Sequence, residues 1–561
     1  MAEAAPTISA VDARPPSASF TPSMWGHTFT SFSLEHQVQE KFGEDIEALK
    51  KEVRRMIIMA KLRQTRGEQL VLIDTLQRLG LGYHFDAEIE EHLEQIFKSH
   101  CENNQVEDDD LYITSLQFRL LRQHRRYVSC SVFDKFMKGG KEDNKFDETL
   151  VQIGDAKGLL SLYEAAHLRT HGEEILDEAV DFTVHHLKRM VQQLEPPLQD
   201  QVKRALEQPF HWGVPRIETR YYISSYEKDN TKNEILLKLA KLDFNYVQNV
   251  HRTELHQVSR WWNEMDLKSK LPHTRDRVVE IYLWAMAFHF EPQYSKARVA
   301  FTKALMMLSV VDDTYDNYAT VQEAELFTEV VERWNIDEID RLPDYMKIVY
   351  MLILSVYEDY EREASEQGKL FAIPYAKETV NLICRAYNKE LKWLVGQQRP
   401  TYEEYLANSL YTSCIYVVTT AIIPSMKSAS TESINWLMSD PKIITATVKL
   451  GRYLDDLGSR ESRQGKMVTG VDIYMKQHGV TMEETVDKFV KLAEDAWKDV
   501  NEEWIMSSNK SCEVAKDMVE HILNFARTTE ITYKNCEDGY TCPEKNYALW
   551  IRALFLDPMI I

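Results

Sequence analysis

An all-α fold of two antiparallel helical domains is what this sequence predicts, and three observations predict it. Apolar residues recur at helical spacing in segment after segment, the interruptions carry Gly and Pro, and no sustained run of alternating β-branched residues occurs. Ile46, Leu49, Val53, Met56 and Ile57 fall on one helical face with charges between them. Leu72, Leu76 and Leu79 form a second stripe, which stops at the turn signal Gly80-Leu81-Gly82. Ile89, Leu93, Ile96 and Phe97 open a third, and Leu-, Glu-, Lys- and Met-rich segments continue to the end of the sequence. The strongest break lies near 210–235. There Trp212-Gly213-Val214-Pro215 interrupts the pattern, and Glu227 to Asn233 is polar and turn-forming. It divides the chain into residues 24–232 and 233–561, after an Ala/Pro/Ser-rich tail, 1–23, expected to be disordered. No repeat of fixed period is present, which argues against a stacked, non-catalytic scaffold.

The 561 residues are 44% apolar and 28% charged, enough to bury two sizeable cores. A formal net charge of −21 argues against nucleic acid and anionic membranes as partners, because both need a basic footprint. A negatively charged substrate would need a local positive site built from Arg, Lys or metal ions. Seven scattered Cys, with no CxxC pair, fit a reducing compartment. No apolar stretch is read as long enough for a membrane span, so no membrane anchor is expected. Residues 1–22 contain Glu3 and Asp12 but only one basic residue, Arg14, unlike a signal or transit peptide. A cytoplasmic monomer is expected.

The chemistry is carried by one helix end. A mostly apolar segment from Phe301 to Val311 leads directly into Asp312-Asp313-Thr314-Tyr315-Asp316. Asp312 and Asp316 are i and i+4 and share a helix face, with Asp313 beside them. Three carboxylates so close repel one another and need a counter-ion. Mg²⁺ takes oxygen ligands, keeps several waters and bridges to phosphate oxygens. The cluster therefore suits an Mg²⁺–diphosphate platform. A solvated acidic helix end is the plain alternative, and the apolar approach favours a polar rim on an apolar pocket. A second candidate is Arg452-Tyr453-Leu454-Asp455-Asp456-Leu457-Gly458-Ser459. Asp455 and Ser459 offer a carboxylate and a hydroxyl on one face, with Arg452 a turn earlier; alone, it reads as an ordinary charged helix. Arg275 and Arg277 follow Leu271-Pro272 and can pair with phosphate oxygens as a fork, or form surface salt bridges.

These residues resemble the plant terpene synthases, particularly the cytosolic sesquiterpene type, over nearly the whole chain. Arg14-Pro15 and Pro22 to Gly26 look like the family's N-terminal arm. Asp110-Leu111-Tyr112, Phe118-Arg119-Leu120-Leu121-Arg122 and Val132-Phe133 look like its N-terminal domain. Leu271-Pro272 to Glu280, Phe290 to Tyr294, Asp312 to Asp316 and Asp538 to Thr541 look like its catalytic domain. The resemblance implies a C-terminal class I terpene synthase α-bundle after an N-terminal α-barrel. It implies three Mg²⁺ ions, with Mn²⁺ as substitute, gripping a prenyl diphosphate. It places Asp312, Asp313 and Asp316 in the first metal motif and starts the second at Asp455. Arg275, Arg277 and Arg452 correspond to diphosphate-binding arginines, Trp284 and Tyr540 to the aromatic wall, and Tyr533 and Asp538 to a proton-moving group. No DxDD is present, so cyclisation begun by protonation is not expected. Trp284 and Tyr540, taken without the resemblance, read as ordinary core.

One departure stands out. The second motif usually runs Asp, then Ser or Thr four residues on, then Glu four further; here the third position is Arg463. The nearest acid, Glu461, lies roughly 120° from Asp455 on an unbroken helix at ~100° per residue. A helix ending near Gly458 or Ser459 lets Glu461 become the third ligand, which is the reading adopted. In the alternative, Glu461 faces solvent and Arg463 supports the diphosphate. The expected substrate is farnesyl diphosphate, because no plastid-type leader precedes Trp25 and Arg14-Pro15 replaces paired arginines. Geranyl diphosphate, as in a monoterpene synthase, is the alternative. A chain-elongating prenyl transferase fits less well, since those enzymes carry two DDxxD-like motifs on one shorter domain.

Overall fold

The computed structural model describes residues 20–102, 110–138, 145–152, 155–396, 398–459, 469–507 and 514–561. Among them the ordered elements are helices, with a single antiparallel bridge between Met137 and Phe146. The chain divides into two units. One comprises Leu34–Asn249, Trp497–Cys512 and Arg552–Ile561; the other comprises Met1–Ser33, Val250–Ala496 and Glu513–Ile551.

In the first unit the predicted stripes become a core. Ile46, Val53 and Ile57 are buried on the helix His36–Arg63, while Leu49 and Met56 are half-buried. Leu76 is joined by Leu70 and Ile73 on Arg66–Arg78, which starts with a Thr65–Glu68 capping box. That helix stops where Gly80 turns left-handed at φ +73°, and a Cβ there would meet the Thr219 hydroxyl at 2.9 Å. Each fully buried Leu or Ile contributes roughly 1.5–3 kcal/mol. The Phe118–Arg122 motif lies on Leu111–Gln123, begun by the Asp110 carboxylate accepting from the Ile113 N–H at 2.8 Å. Its two arginines point inward. Arg119 Nη2 donates to Asp74 at 2.5 Å, and Arg122 Nη1 donates to Glu173 at 2.7 Å and to the Leu168 carbonyl at 3.0 Å. Removing one partner would leave a buried charge uncompensated, at a cost of about 3–5 kcal/mol.

The second unit surrounds the helix Ser295–Asn317. It packs against Val278–Phe288, Asp344–Glu366, Ile373–Leu394 and Ile415–Ile422. Val278–Phe288 is buried along its whole length, as expected for a helix apolar on all sides. Lys442–Gly458 packs on Lys516–Thr532 and on Tyr402–Thr412. The segment Tyr402–Ser425 corrects one sequence expectation: by length and composition it can cross a membrane. Here 61% of that apolar window is buried in the folded chain, and the helix breaks at Cys414, whose φ is +61°.

Burial also leaves histidines neutral. His289 and His521 stack with ring centroids 5.4 Å apart; burial holds His289 down at about 4 and His521 well below its usual value. His167, in the first unit, is held at about 3. A depressed histidine keeps its stability at pH above ~6.5 and loses it below, because only the unfolded chain then takes the proton. The loss is about 1.4 kcal/mol per pH unit for each histidine. The apparent melting temperature is therefore expected to fall between pH 7 and pH 5, with a smaller fall for His521→Asn. A flat profile in differential scanning fluorimetry would contradict this.

Candidate active site

A cavity of about 490 Å³ lies within the second unit. Its walls change character along their helices. Ser295–Asn317 contributes Leu305 and Leu308, then Ser309, then Asp312, Asp313 and Asp316. Lys442–Gly458 contributes Val448, then Arg452 and Asp455; Lys516–Thr532 contributes Phe525 and Thr529, followed by Tyr533. One turn of helix rises about 5.4 Å, so an apolar chamber gives way to a charged one within a few turns. Trp284 and Ile281 join the apolar part, and Tyr540 and Asp538 line it from the loop after Tyr533.

The charged groups are arranged as two clusters. In the first, Arg275 Nη2 donates to Asp312 at 2.7 Å, and its backbone N–H donates to Asp313 Oδ2 at 2.7 Å. Asp313 is fully buried and also accepts from Asn317 at 3.3 Å. Burial, helped by the charge of Asp312 and opposed by Arg275, pushes the Asp313 carboxyl up to about 6. Its oxygens are thus engaged by Arg275 and Asn317, while Asp312 keeps 27% of its side chain exposed. The Arg275 guanidinium sits 4.9 Å from the Tyr540 ring centroid, and the Tyr540 hydroxyl hydrogen-bonds Ser309 at 2.6 Å.

In the second cluster Arg452 pairs with Asp455 and lies 3.7 Å from Asp456. Asp456 is itself fixed by the Tyr405 hydroxyl at 2.7 Å and the Gly470 N–H at 3.1 Å. A Cβ on Gly470 would meet Asp456 Oδ2 at 2.3 Å, so only glycine allows this approach. Ser459 donates to Asp455 at 2.6 Å and lies 3.4 Å from Asp538, whose other oxygen accepts from the Tyr540 and Thr541 N–H groups. The helix ends at Gly458, with Ser459 as its cap. Glu461 and Arg463 lie outside the described residues.

The structure brings Arg275, Trp284, Asp312, Asp313, Asp316, Arg452, Asp455, Tyr533, Asp538 and Tyr540 onto one cavity wall. Ser459 lies behind Asp455. Arg277 is placed differently. It is buried behind the wall, and its guanidinium donates to the carbonyls of Thr21, Tyr540 and Thr541 and to the Thr21 hydroxyl at 2.8–3.3 Å. It thereby ties residue 21 to the 540–541 loop, and Phe20 lines the cavity. Sequence reasoning missed Glu390. This half-buried carboxylate faces the charges of both Arg452 and Asp312 and accepts from Thr412 at 3.0 Å; loss of solvent around it holds its carboxyl above the usual range. No motif marks it, and only the fold brings it between the clusters. Among the described residues no three His, Cys, Asp or Glu side chains already converge as a formed metal site.

The model of the terpene synthase N-terminal domain matches residues 24–206, and that of the terpene synthase family, metal binding domain, matches residues 263–499. The chain belongs to the terpene synthase family. This terpene synthase is 50% identical to gamma-cadinene synthase of Ocimum basilicum, over 98% of the chain and 99% of the relative. It is 48% identical to tau-cadinol synthase of Lavandula angustifolia, over 98% of each. Among solved structures it resembles isoprene synthase from grey poplar leaves (Populus x canescens) in complex with three Mg²⁺ ions and dimethylallyl-S-thiolodiphosphate. That match has a TM-score of 0.85 at 33% identity and covers 92% of this chain and 97% of the other.

Proposed function

We propose that this terpene synthase is a sesquiterpene synthase, which ionises farnesyl diphosphate and cyclises the resulting cation. The observation that carries the reading is the single cavity with arginines and carboxylates at one part and Trp284, Leu305, Leu308 and Phe525 at another. Diphosphate and hydrocarbon need those two environments side by side. The similarity to gamma-cadinene and tau-cadinol synthases supports the fifteen-carbon substrate.

The donor set fits Mg²⁺. Asp312, Asp316 and Asp455 present oxygen ligands to the cavity, and half-buried Glu390 stands between them with a carboxyl that a nearby cation would favour as the anion. When bound, the ions would neutralise the diphosphate leaving group. Asp312, Asp316, Asp455 and Ser459 would hold them. Asp313, expected as a further ligand, acts in this proposal as the anchor of Arg275. Arg275 and Arg452 donate to the diphosphate oxygens, and Arg277 supports them from behind the wall. The allylic C–O bond breaks with its electron pair leaving on the diphosphate, and a distal double bond attacks the cation. The apolar walls exclude the water that would quench it. The faces of Trp284 and Tyr540 attract the positive charge. Tyr533 and Asp538 form the proton-accepting group that turns the cation into an olefin. Residues 34–249 form most of the N-terminal domain and 250–496 most of the catalytic domain, in place of the sequence division at 232/233, in a cytoplasmic monomer.

Specificity constants for geranyl and farnesyl diphosphate test the substrate; a clear preference for the ten-carbon chain would refute it. Glu461 is retained as the third ligand of the second motif. Glu461→Gln is then expected to raise the Mg²⁺ requirement sharply while Arg463→Gln has less effect. An unchanged Mg²⁺ curve for Glu461→Gln would remove it from the ligand set.

A further inference from the structure

The indole of Trp284 is held by a chain of hydrogen bonds running away from the cavity. Trp284 Nε1 donates to the Tyr547 hydroxyl at 2.9 Å. That hydroxyl lies 2.5 Å from Thr532 Oγ1, which donates to the Thr528 carbonyl at 2.6 Å. The direction of the chain follows from counting hydrogens. The indole nitrogen can only donate, and the one hydroxyl hydrogen of Thr532 is used on Thr528. Tyr547 must therefore donate to Thr532, which leaves its oxygen lone pairs for Trp284. Every hydrogen is used once and no alternative arrangement satisfies all the groups. Tyr547 and Thr532 are fully buried, so water does not compete for either.

We infer that Tyr547 is a positioning residue for Trp284, and through it a determinant of which cyclised cation the cavity holds. The inference rests on the reading of the cavity as a cyclisation chamber. An indole is anchored against rotation when its edge is hydrogen-bonded. Phe525 meets it edge to face, with centroids 5.7 Å apart at 82°, and Phe288 lies 6.4 Å away. These ring contacts alone permit sliding, whereas the N–H bond fixes one edge. The indole face attracts a cation only over a narrow range of distance and angle. A small rotation therefore alters which ring closure or deprotonation is fastest. Tyr547 touches neither substrate nor metal ligand in this scheme, so ionisation should not depend on it.

The test is Tyr547→Phe, with diphosphate release and volatile products measured on the prenyl diphosphate that the wild type turns over. The expected result is release within about threefold of wild type, an unchanged Mg²⁺ curve, and a ratio of main to minor products altered at least about threefold. Trp284→Phe lacks the N–H. In that background Tyr547→Phe should add nothing to the product shift, because the two residues act as one unit. Thr532→Val, which removes the acceptor for Tyr547 together with the hydroxyl's own bond to the Thr528 carbonyl, should shift products in the same direction by less, and it serves should Tyr547→Phe not fold. A wild-type product profile in Tyr547→Phe, or an additive shift in the double variant, would overturn the inference. Failure of the wild type to release diphosphate would instead overturn the functional reading on which it rests.

Discussion

Asp312→Asn is expected to lower turnover at least about a hundredfold, a loss of about 2.7 kcal/mol of transition-state stabilisation, with helical circular dichroism intact. Asp312 keeps a quarter of its side chain exposed and lies at the charged part of the cavity, so replacing it does not open the core. Its carboxylate is the most exposed oxygen donor of the first cluster, because Asp313 and Asp316 are buried. The amide keeps the shape and one oxygen but loses the charge that a divalent cation needs. Excess Mg²⁺ should recover part of the activity. Near-wild-type turnover would remove Asp312 from the metal ligands, and a loss of helicity would mark it as structural.

Arg275→Gln is expected to remove activity by a similar factor and also to destabilise the protein by about 3–5 kcal/mol, because Asp313 is left as a buried, unpaired carboxylate. Burial already pushes that carboxyl up to about 6 with the arginine present. Without Arg275 its folded value rises further. An acid whose folded value is raised is most destabilising above that value, where it must be charged in the core. The penalty is relieved as pH falls and the folded state takes the proton. The gap in melting temperature between variant and wild type should therefore be widest near pH 8 and narrow toward pH 5. Asp313→Asn added to Arg275→Gln should restore the melting temperature without restoring activity. Recovery of both together would show that the arginine has no role beyond pairing Asp313.

The helices were legible because burial follows period. Val53, Ile57, Leu76 and Leu93 are buried on the faces their spacing assigns. Gly80-Leu81-Gly82 ends a helix because Gly80 must turn left-handed. The aspartate motif was legible because local sequence alone places Asp312 and Asp316 on one face after an apolar run. Glu390, Phe20, Tyr405 and Tyr547 were not, since each reaches the site, or the groups that frame it, through tertiary packing. The partner of Asp313 is 38 residues away in sequence, and that of Trp284 is 263 away. Arg277 shows the opposite limit. Its spacing from Arg275 suggested a fork, but a helix begins at Val278 and turns its guanidinium toward the carbonyls of residues 21, 540 and 541.

The most direct test of the central claim is diphosphate release from farnesyl diphosphate as sole substrate, with volatile products collected in the same vial. With Mg²⁺ present and no isopentenyl co-substrate, the account predicts stoichiometric diphosphate and fifteen-carbon cyclic products, both abolished by excess chelator. Release that needs a second prenyl substrate, activity that persists in chelator, or no release at all would contradict it.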